Sequence, residues 1–448
     1  MGACGASGVG SIPTYRPSGN MENLKGVKEY LPEEQIVREK IIRTLEDTFK
    51  KYGFEPMETS ILELFEIASA KYGMGNEIMK EVYKLKDQGN RDLVLRYELT
   101  FKLAKAFAEN KNISLPFKRY EIGKVFRDGP VKKARLREFT QCDIDTIGIK
   151  SGYADAEFMA ITFDVFSQLG INVFVKLNNR KLLFGIFEES GVEKEKFVDV
   201  ALSLDKLDKI GKEGVKSELG QKIEKDKIEK IFSIIEESEN LATNEEKLEY
   251  FKKILNNENA KEGIRELEEF FYFVKIFQNE DKWEIILSPF LARGLGYYTG
   301  LIWEVYTKNF SSSLAAGGRW DNLIQKYLDS KIEYPATGMS FGVDAIFAIL
   351  PKKSEESKLV YIIPLQQEQV KKAIEVANLL RKKGIPCDIA FEKKITKALE
   401  YANKKAIKYC IIIGKEEESK EVVKLKNMQD GSEKFLKISQ LESFFTHT

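Results

Sequence analysis

Residues 119–147 read RYEIGKVFRDGPVKKARLREFTQCDIDTI. Both ends of this stretch, Arg119 to Arg127 and Glu138 to Ile147, read as extended, and the Asp128–Leu136 connection is strongly basic and longer than a tight turn. Strand period two puts Gln141, Asp143 and Asp145 on one face, framed by Phe139 and Ile147. An amide and two carboxylates in a row are costly to bury without partners. The row is therefore either a solvated strand face or the floor of a ligand site. Arg127, Arg135 and Arg137 flank it, and arginines at strand ends beside a donor-rich loop suit phosphate binding.

Working outward, Arg96, Glu98 and Thr100 share a face in an earlier extended stretch, which Gln88-Gly89-Asn90-Arg91 turns into a hairpin. Val37, Ile41, Leu45 and Phe49 recur every fourth residue, predicting an amphipathic helix over Pro32–Lys51 that stops near Gly53. Short helices are expected at Lys102–Asn110 and Ala154–Gln168, and a strand at Asn172–Leu177. From Asn178 to Asp281, Lys, Glu and apolar residues recur at helical spacing, which reads as a helical insertion. Strands resume over Ile285–Thr307 and Leu314–Arg319, with glycine-rich strings at Arg293–Gly300 and Ala316–Asp321 that permit close backbone approach to a ligand. Beyond a linker after Pro351, segments alternate as strand, helix, strand, helix, strand, strand: a small α/β domain.

Composition narrows the chemistry. The only histidine, His447, stands next to the end of the sequence, which removes Ser-His-Asp and Cys-His catalysis and any histidine general base. Cys4, Cys142, Cys387 and Cys410 show no paired metal-ligand spacing, so a reducing, cytoplasmic setting without structural zinc is expected. No apolar run approaches the roughly 18–20 residues that span a membrane. No Walker-type or dinucleotide-binding glycine pattern is present. Residues 358–448 carry a net charge of +6 and the remainder −5, an imbalance compatible with a polyanionic partner. Residues 1–20, rich in Gly and Ser, read as a leader outside the fold.

Several of these strings together resemble the histidyl-tRNA synthetase family of class II aminoacyl-tRNA synthetases. Phe126-Arg127 with Arg135–Gln141 resembles the second class II signature, Glu58–Glu63 the first, and Gly338–Asp344 the third. Leu291–Gly300 resembles the string peculiar to the histidine family, and Leu95–Thr100 its substrate hairpin. The resemblance implies an antiparallel-sheet catalytic domain (residues 21–177 and 282–352), a helical insertion (178–281) and an α/β anticodon-binding domain (358–448). It implies ATP with Mg2+, histidine and tRNA(His) as partners, and a homodimer. By the same resemblance, Arg127 and Arg293 are the catalytic arginines. Arg127, Arg135, Asp128, Gln141 and Arg319 face ATP. Glu98, Thr100, Gln141, Asp145, Arg293, Tyr297 and Tyr298 hold histidine, with Asp145 and Tyr298 reading its ring.

Three positions depart from the family pattern: Ser60 for a proline, Gly129 for an acidic residue, and Ala345 where an arginine ends the third signature. The last leaves a γ-phosphate contact to Arg135, Arg319 or magnesium. A non-catalytic sensor of histidine or tRNA, and a ligase for threonine, proline or glycine, stand as rivals.

Overall fold

The computed structural model describes residues 23–71, 76–110, 112–131, 136–279, 282–293, 296–328, 331–351, 357–391 and 394–446. The Gly/Ser-rich leader, Arg135 and His447 lie outside them. The chain divides into two compact units, Met1–Leu350 and Pro351–Thr448.

The first unit is organised by an eight-stranded sheet. Its centre is the antiparallel run Phe117–Phe126, Glu138–Ile147, Ala336–Gly342, Ala315–Arg319, Leu301–Tyr306 and Phe174–Asn179. Glu55–Pro56 and Glu284–Leu287 add parallel edges. Directly opposed residues share a face, so the register sorts side chains into two sets. Tyr120, Cys142, Ile144, Met339 and Phe341 point to one side and join the main apolar core. Arg119, Glu121, Gln141, Asp143, Asp145 and Ser340 fall on the other.

Two helices cover the apolar face. Pro32–Lys51 starts with proline in its first turn, buries Ile41, Leu45 and Phe49, and gives way to Gly53 at φ +78°. Gly152–Gln168 is capped by the Ser151 side chain and buries Phe158, Ile161, Val165 and Phe166. Arg38 stands among the apolar residues of the first helix but is buried, because it pairs with Asp344 and donates to Thr140 Oγ1 at 3.0 Å. Asp344 also accepts from the Thr140 backbone N–H at 2.8 Å and from the Tyr30 hydroxyl. One carboxylate thus ties helix, strand and the third-signature segment together.

The stretch between Arg180 and Gln278 is helical, comprising Arg180–Glu189, Phe197–Leu204, Leu207–Leu219, Lys225–Glu239, Asn244–Ile254 and Glu258–Gln278. Its apolar residues, among them Leu183, Phe187, Phe232 and Phe270, belong to the same core as the sheet.

The second unit has a five-stranded sheet ordered Cys387–Ile389, Ser357–Pro364, Ile407–Ile413, Val422–Asn427, Glu433–Lys437, the first three mutually parallel. Its central strands are apolar on both faces. Val360, Ile362 and Ile411 pack with Val370–Lys382, whereas Tyr361, Ile363 and Ile412 pack with Ile395–Lys404.

Three expectations change. The extended stretch around residue 96 ends at Leu95, and Thr100 opens the helix Thr100–Glu109, so Arg96, Glu98 and Thr100 are not one strand face. The span 285–307 is not one strand but two, Glu284–Leu287 and Leu301–Tyr306. The edge strand Glu433–Lys437 was not anticipated, because it is exposed and shows little apolar alternation.

Arg38→Ala leaves Asp344 buried beside Thr140 without its cation. Removing one partner of a buried pair costs about 3–5 kcal/mol. Denaturant unfolding of the Arg38→Ala variant is expected to show a midpoint lowered accordingly; a loss under about 1 kcal/mol would mean that the pair does not anchor the helix.

Candidate active site

A cavity of about 770 Å³ opens on the polar side of the large sheet. Its floor includes two members of the anticipated row. Gln141 and Asp143 line it, with Gln141 Nε2 donating to Ser340 Oγ at 2.7 Å and to Asp143 Oδ1 at 3.3 Å. Small residues keep the space open: Ala316, Gly338 and Gly342 also line it. Gly318 has no Cβ because one would meet the Tyr298 ring at 2.8 Å.

One wall comes from the turn and helix after Leu95. Glu98 accepts the Phe101 backbone N–H at 2.6 Å, so it caps the helix that Thr100 begins. Arg127, at the end of its strand, lies 4.3 Å from the Tyr97 ring centroid and 5.0 Å from that of Phe139, and donates through Nε to the Tyr97 carbonyl at 3.3 Å. Stacking fixes the guanidinium plane while leaving other donors for a ligand.

The facing wall carries Arg293, Tyr297 and Tyr298. Arg293 Nη1 pairs with Glu304 at 2.6 Å and Nη2 donates to the Tyr298 hydroxyl at 3.3 Å. Its backbone is left-handed, φ +57°, an unfavourable conformation for a side chain of this size. The preceding loop is clamped from below. Asn178 Nδ2 donates to the carbonyls of Pro289 (3.0 Å) and Leu291 (2.8 Å), and Arg180 Nη1 to that of Ala292 at 2.6 Å. Burial pushes the Arg180 guanidinium down to about 10. Asp205 and Lys209, from the helical stretch, close the rim.

The cavity therefore gathers Glu98, Thr100, Arg127, Gln141, Arg293, Tyr297 and Tyr298. Three anticipated residues are placed elsewhere. Arg319 does not face the cavity: Ala316 lines it, Gly318 shares that face opposite Gly338, and strand alternation sends Arg319 to the other. There it pairs with Asp155 at 2.6 Å and donates to the carbonyls of Ile149 (3.1 Å) and Ser151 (3.2 Å). Asp128 lies past the strand end, off the cavity wall, paired with Arg137 at 3.4 Å. Asp145 is on the cavity's side of the sheet but one step beyond its wall, 1% exposed and paired with Arg119 at 2.7 Å. Sequence reasoning missed Asn178, Arg180 and Glu304; the only local signal was the polar triplet Asn178-Asn179-Arg180 closing an apolar strand.

Burial dominates the acids. It pushes Glu98 up to about 7 and Asp143 well above the carboxylate range, and it raises Asp145 to about 6 against the opposing pull of Arg119. Among the described residues no cluster of three or more His, Cys, Asp or Glu could hold a metal ion. Stacked and paired arginines on two sides of a carboxylate- and amide-lined floor suit a zwitterion carrying a phosphate next to it.

Comparison with known proteins decides the family. The histidyl-tRNA synthetase family model matches residues 26–346, and the anticodon binding domain model matches residues 359–448. The chain belongs to the histidyl-tRNA synthetase family. Histidine–tRNA ligase 1 of Bacillus cereus is 44% identical over 431 residues, covering 94% of this chain and 96% of its own. The Clostridium tetani ligase is 37% identical, covering 93% and 96%. The crystal structure of histidyl-tRNA synthetase from Nostoc sp. PCC 7120 superimposes with a TM-score of 0.82 at 26% identity, covering 96% of this chain and 99% of that one. A Bacillus halodurans structure titled ATP phosphoribosyltransferase regulatory subunit/histidyl-tRNA synthetase shares the fold, with a TM-score of 0.70 at 19% identity over 86% and 97%. Ala345 also lines the cavity.

Glu98 gives a pH signature. Its folded pKa, about 7, exceeds the ordinary 4.5. The folded state therefore holds the proton more tightly, and stability from this group is present at low pH and lost as pH rises from about 4.5 through 7. Glu98→Gln, which keeps the acceptor for the Phe101 N–H, is expected to be more stable than the parent at pH 8, by up to about 3 kcal/mol. The gap should close near pH 4.5; a pH-independent difference would contradict the assignment.

Proposed function

We propose that this chain is a histidine–tRNA ligase that activates histidine with ATP and transfers it to the 3′ end of tRNA(His). The observation that carries the reading is that Arg127 and Arg293 line one cavity together with Glu98, Thr100 and Gln141.

In the first step a carboxylate oxygen of histidine attacks the α-phosphorus of ATP. The bond from that phosphorus to the bridging oxygen of the β-phosphate breaks, giving histidyl-adenylate and pyrophosphate. The attacking carboxylate is already ionised, so no general base is needed, in keeping with a chain whose sole histidine is His447. Arg127 holds the carboxylate and the α-phosphate from one side, and Arg293 stabilises the charge developing on the α-phosphate from the other. Arg293 is fixed beforehand by Glu304, Tyr298 and the clamp beneath its loop, so little reorganisation accompanies the step. Glu98, Thr100 and Gln141 receive the α-ammonium group, Tyr297 supports Glu98 through a 3.4 Å contact, and Asp145 with Tyr298 reads the ring. Magnesium enters with ATP as part of the substrate, held by its phosphates and water, as is usual for this ion. In the second step a hydroxyl of the terminal adenosine attacks the acyl carbon, its proton passes to a phosphate oxygen of the adenylate, the bond from the acyl carbon to that phosphate breaks, and AMP leaves. The basic residues 358–448 hold the tRNA.

The same reading places the protein in the cytoplasm; no described helix is long and apolar enough to cross a membrane. It also makes the protein a homodimer, with support from Ile61 and Leu62 of the first signature, which are exposed at 43% and 48%. Ala345 favours one rival, a histidine-binding relative that performs no activation. Pyrophosphate exchange with each amino acid in turn separates the readings: exchange with histidine alone supports the ligase, and exchange with none supports the rival.

Arg293→Ala is expected to slow adenylate formation in single turnover by roughly 10²–10³, about 3–4 kcal/mol, with a much smaller change in histidine affinity. An undiminished rate would remove Arg293 from the mechanism. Deleting residues 359–448 leaves the first unit and its cavity, so exchange should persist while tRNA affinity falls at matched salt. Equal tRNA affinity with and without the segment would contradict the assignment.

A further inference from the structure

One step beyond the cavity wall the polar face of the sheet carries a buried cation that no step above uses. Arg119 is 0% exposed and sits directly opposite Asp145 across the strand pair, with Nη2 2.7 Å from Asp145 Oδ2. Its Nε and Nη1 make no hydrogen bond among the described residues, so the guanidinium gives up partners to stand where it does. Neighbouring Glu121 does not need it. Arg96 pairs with Glu121 at 2.8 Å, the Thr59 backbone N–H donates to it at 2.9 Å, and Arg119 Nη1 is 3.7 Å away. On the far side, a Cβ on Gly338 would overlap Asp145 Oδ1, so glycine there leaves that oxygen room beside the cavity-lining Trp320.

We propose that Arg119 is the positioning residue for ring recognition: its guanidinium fixes Asp145 Oδ2 and keeps the carboxylate ionised, leaving Oδ1 to accept an N–H from the neutral imidazole of histidine. The inference rests on the reading that Asp145 contacts the ring. The charges facing Asp145 show why a cation is required. Glu121 on the adjacent strand, Asp143 on its own strand and Glu98 from the turn after residue 95 are all acidic and buried, whereas the Trp320 indole N–H also favours the ionised carboxylate but carries no charge. Among these acids, burial alone favours a protonated Asp145. A protonated acid donates a hydrogen bond where an acceptor is needed. With Arg119 in place the Asp145 carboxyl stays at about 6, ionised at neutral pH.

The test compares histidine-dependent pyrophosphate exchange against pH in the full-length parent, Arg119→Gln, Arg119→Lys and Asp145→Asn. Free histidine titrates identically in every arm, so differences between variants belong to the protein. Arg119→Gln is expected to raise the KM for histidine about tenfold or more near pH 7, per unit of upward displacement of the acidic limb. KM for ATP should stay within about twofold, and activity should recover toward higher pH. Arg119→Lys, still cationic, should restore most of the histidine affinity, and it serves as the test variant if the glutamine form does not fold. An unmoved acidic limb and unchanged histidine KM in Arg119→Gln overturn the proposal, as does an equal loss toward histidine and ATP. Asp145→Asn tests the underlying reading separately. If it keeps normal histidine exchange, Asp145 does not read the ring and both claims fall. If it loses exchange while Arg119→Gln does not, only the role of Arg119 is wrong.

Discussion

The strict alternation of side chains across the strands Phe117–Phe126, Glu138–Ile147 and Ala336–Gly342 governs everything built on them. The same strands must seal an apolar core on one side and present arginine, aspartate and glutamine on the other. A slip of one residue would exchange the two sets and place buried charge against Phe49 and Phe166. Register is therefore fixed by the core, and the site inherits its geometry from that constraint. The charged face stays tolerable because its members serve one another: Arg96 with Glu121, Arg119 with Asp145, Gln141 with Ser340.

The groups around the cavity divide by how firmly they are held. Floor residues stand on central strands, the most rigid elements available. Arg127 is steadied by two aromatic rings, and Arg293 by an ion pair, a tyrosine hydroxyl and backbone clamps from Asn178 and Arg180. The left-handed backbone at Arg293 costs of order 1–3 kcal/mol locally and is sustained by those clamps. Fixed cations on two sides of a buried, acid-lined floor match an activation step in which charge moves at a phosphate and no proton is transferred.

Much of this was legible from the residues. Apolar spacing of four revealed the first helix, and the alternation of segments such as Leu359–Pro364 and Tyr409–Ile413 with helices revealed the small α/β domain, whose strands the structure buries on two faces. Period two put Gln141, Asp143 and Asp145 on one face, of which Gln141 and Asp143 line the cavity. What could not be read depended on register and distance in sequence. Arg319 looks like a phosphate ligand in its glycine-rich string, yet only the pairing with Ala336–Gly342 reveals that it faces Asp155. The clamp from Asn178 and Arg180 joins residues more than a hundred positions apart. Glu98 was assigned to a strand face because no local feature marks the end of pairing at Leu95; the cap it makes on the following helix is visible only in three dimensions.

The most direct measurement is a crystal structure of the protein with histidine and a non-hydrolysable ATP analogue bound. The account predicts the ammonium group on Glu98, Thr100 and Gln141, the ring nitrogen within hydrogen-bond distance of Asp145, and the α-phosphate between Arg127 and Arg293. Histidine bound with its ring away from Asp145, or an α-phosphate out of reach of Arg293, would contradict it.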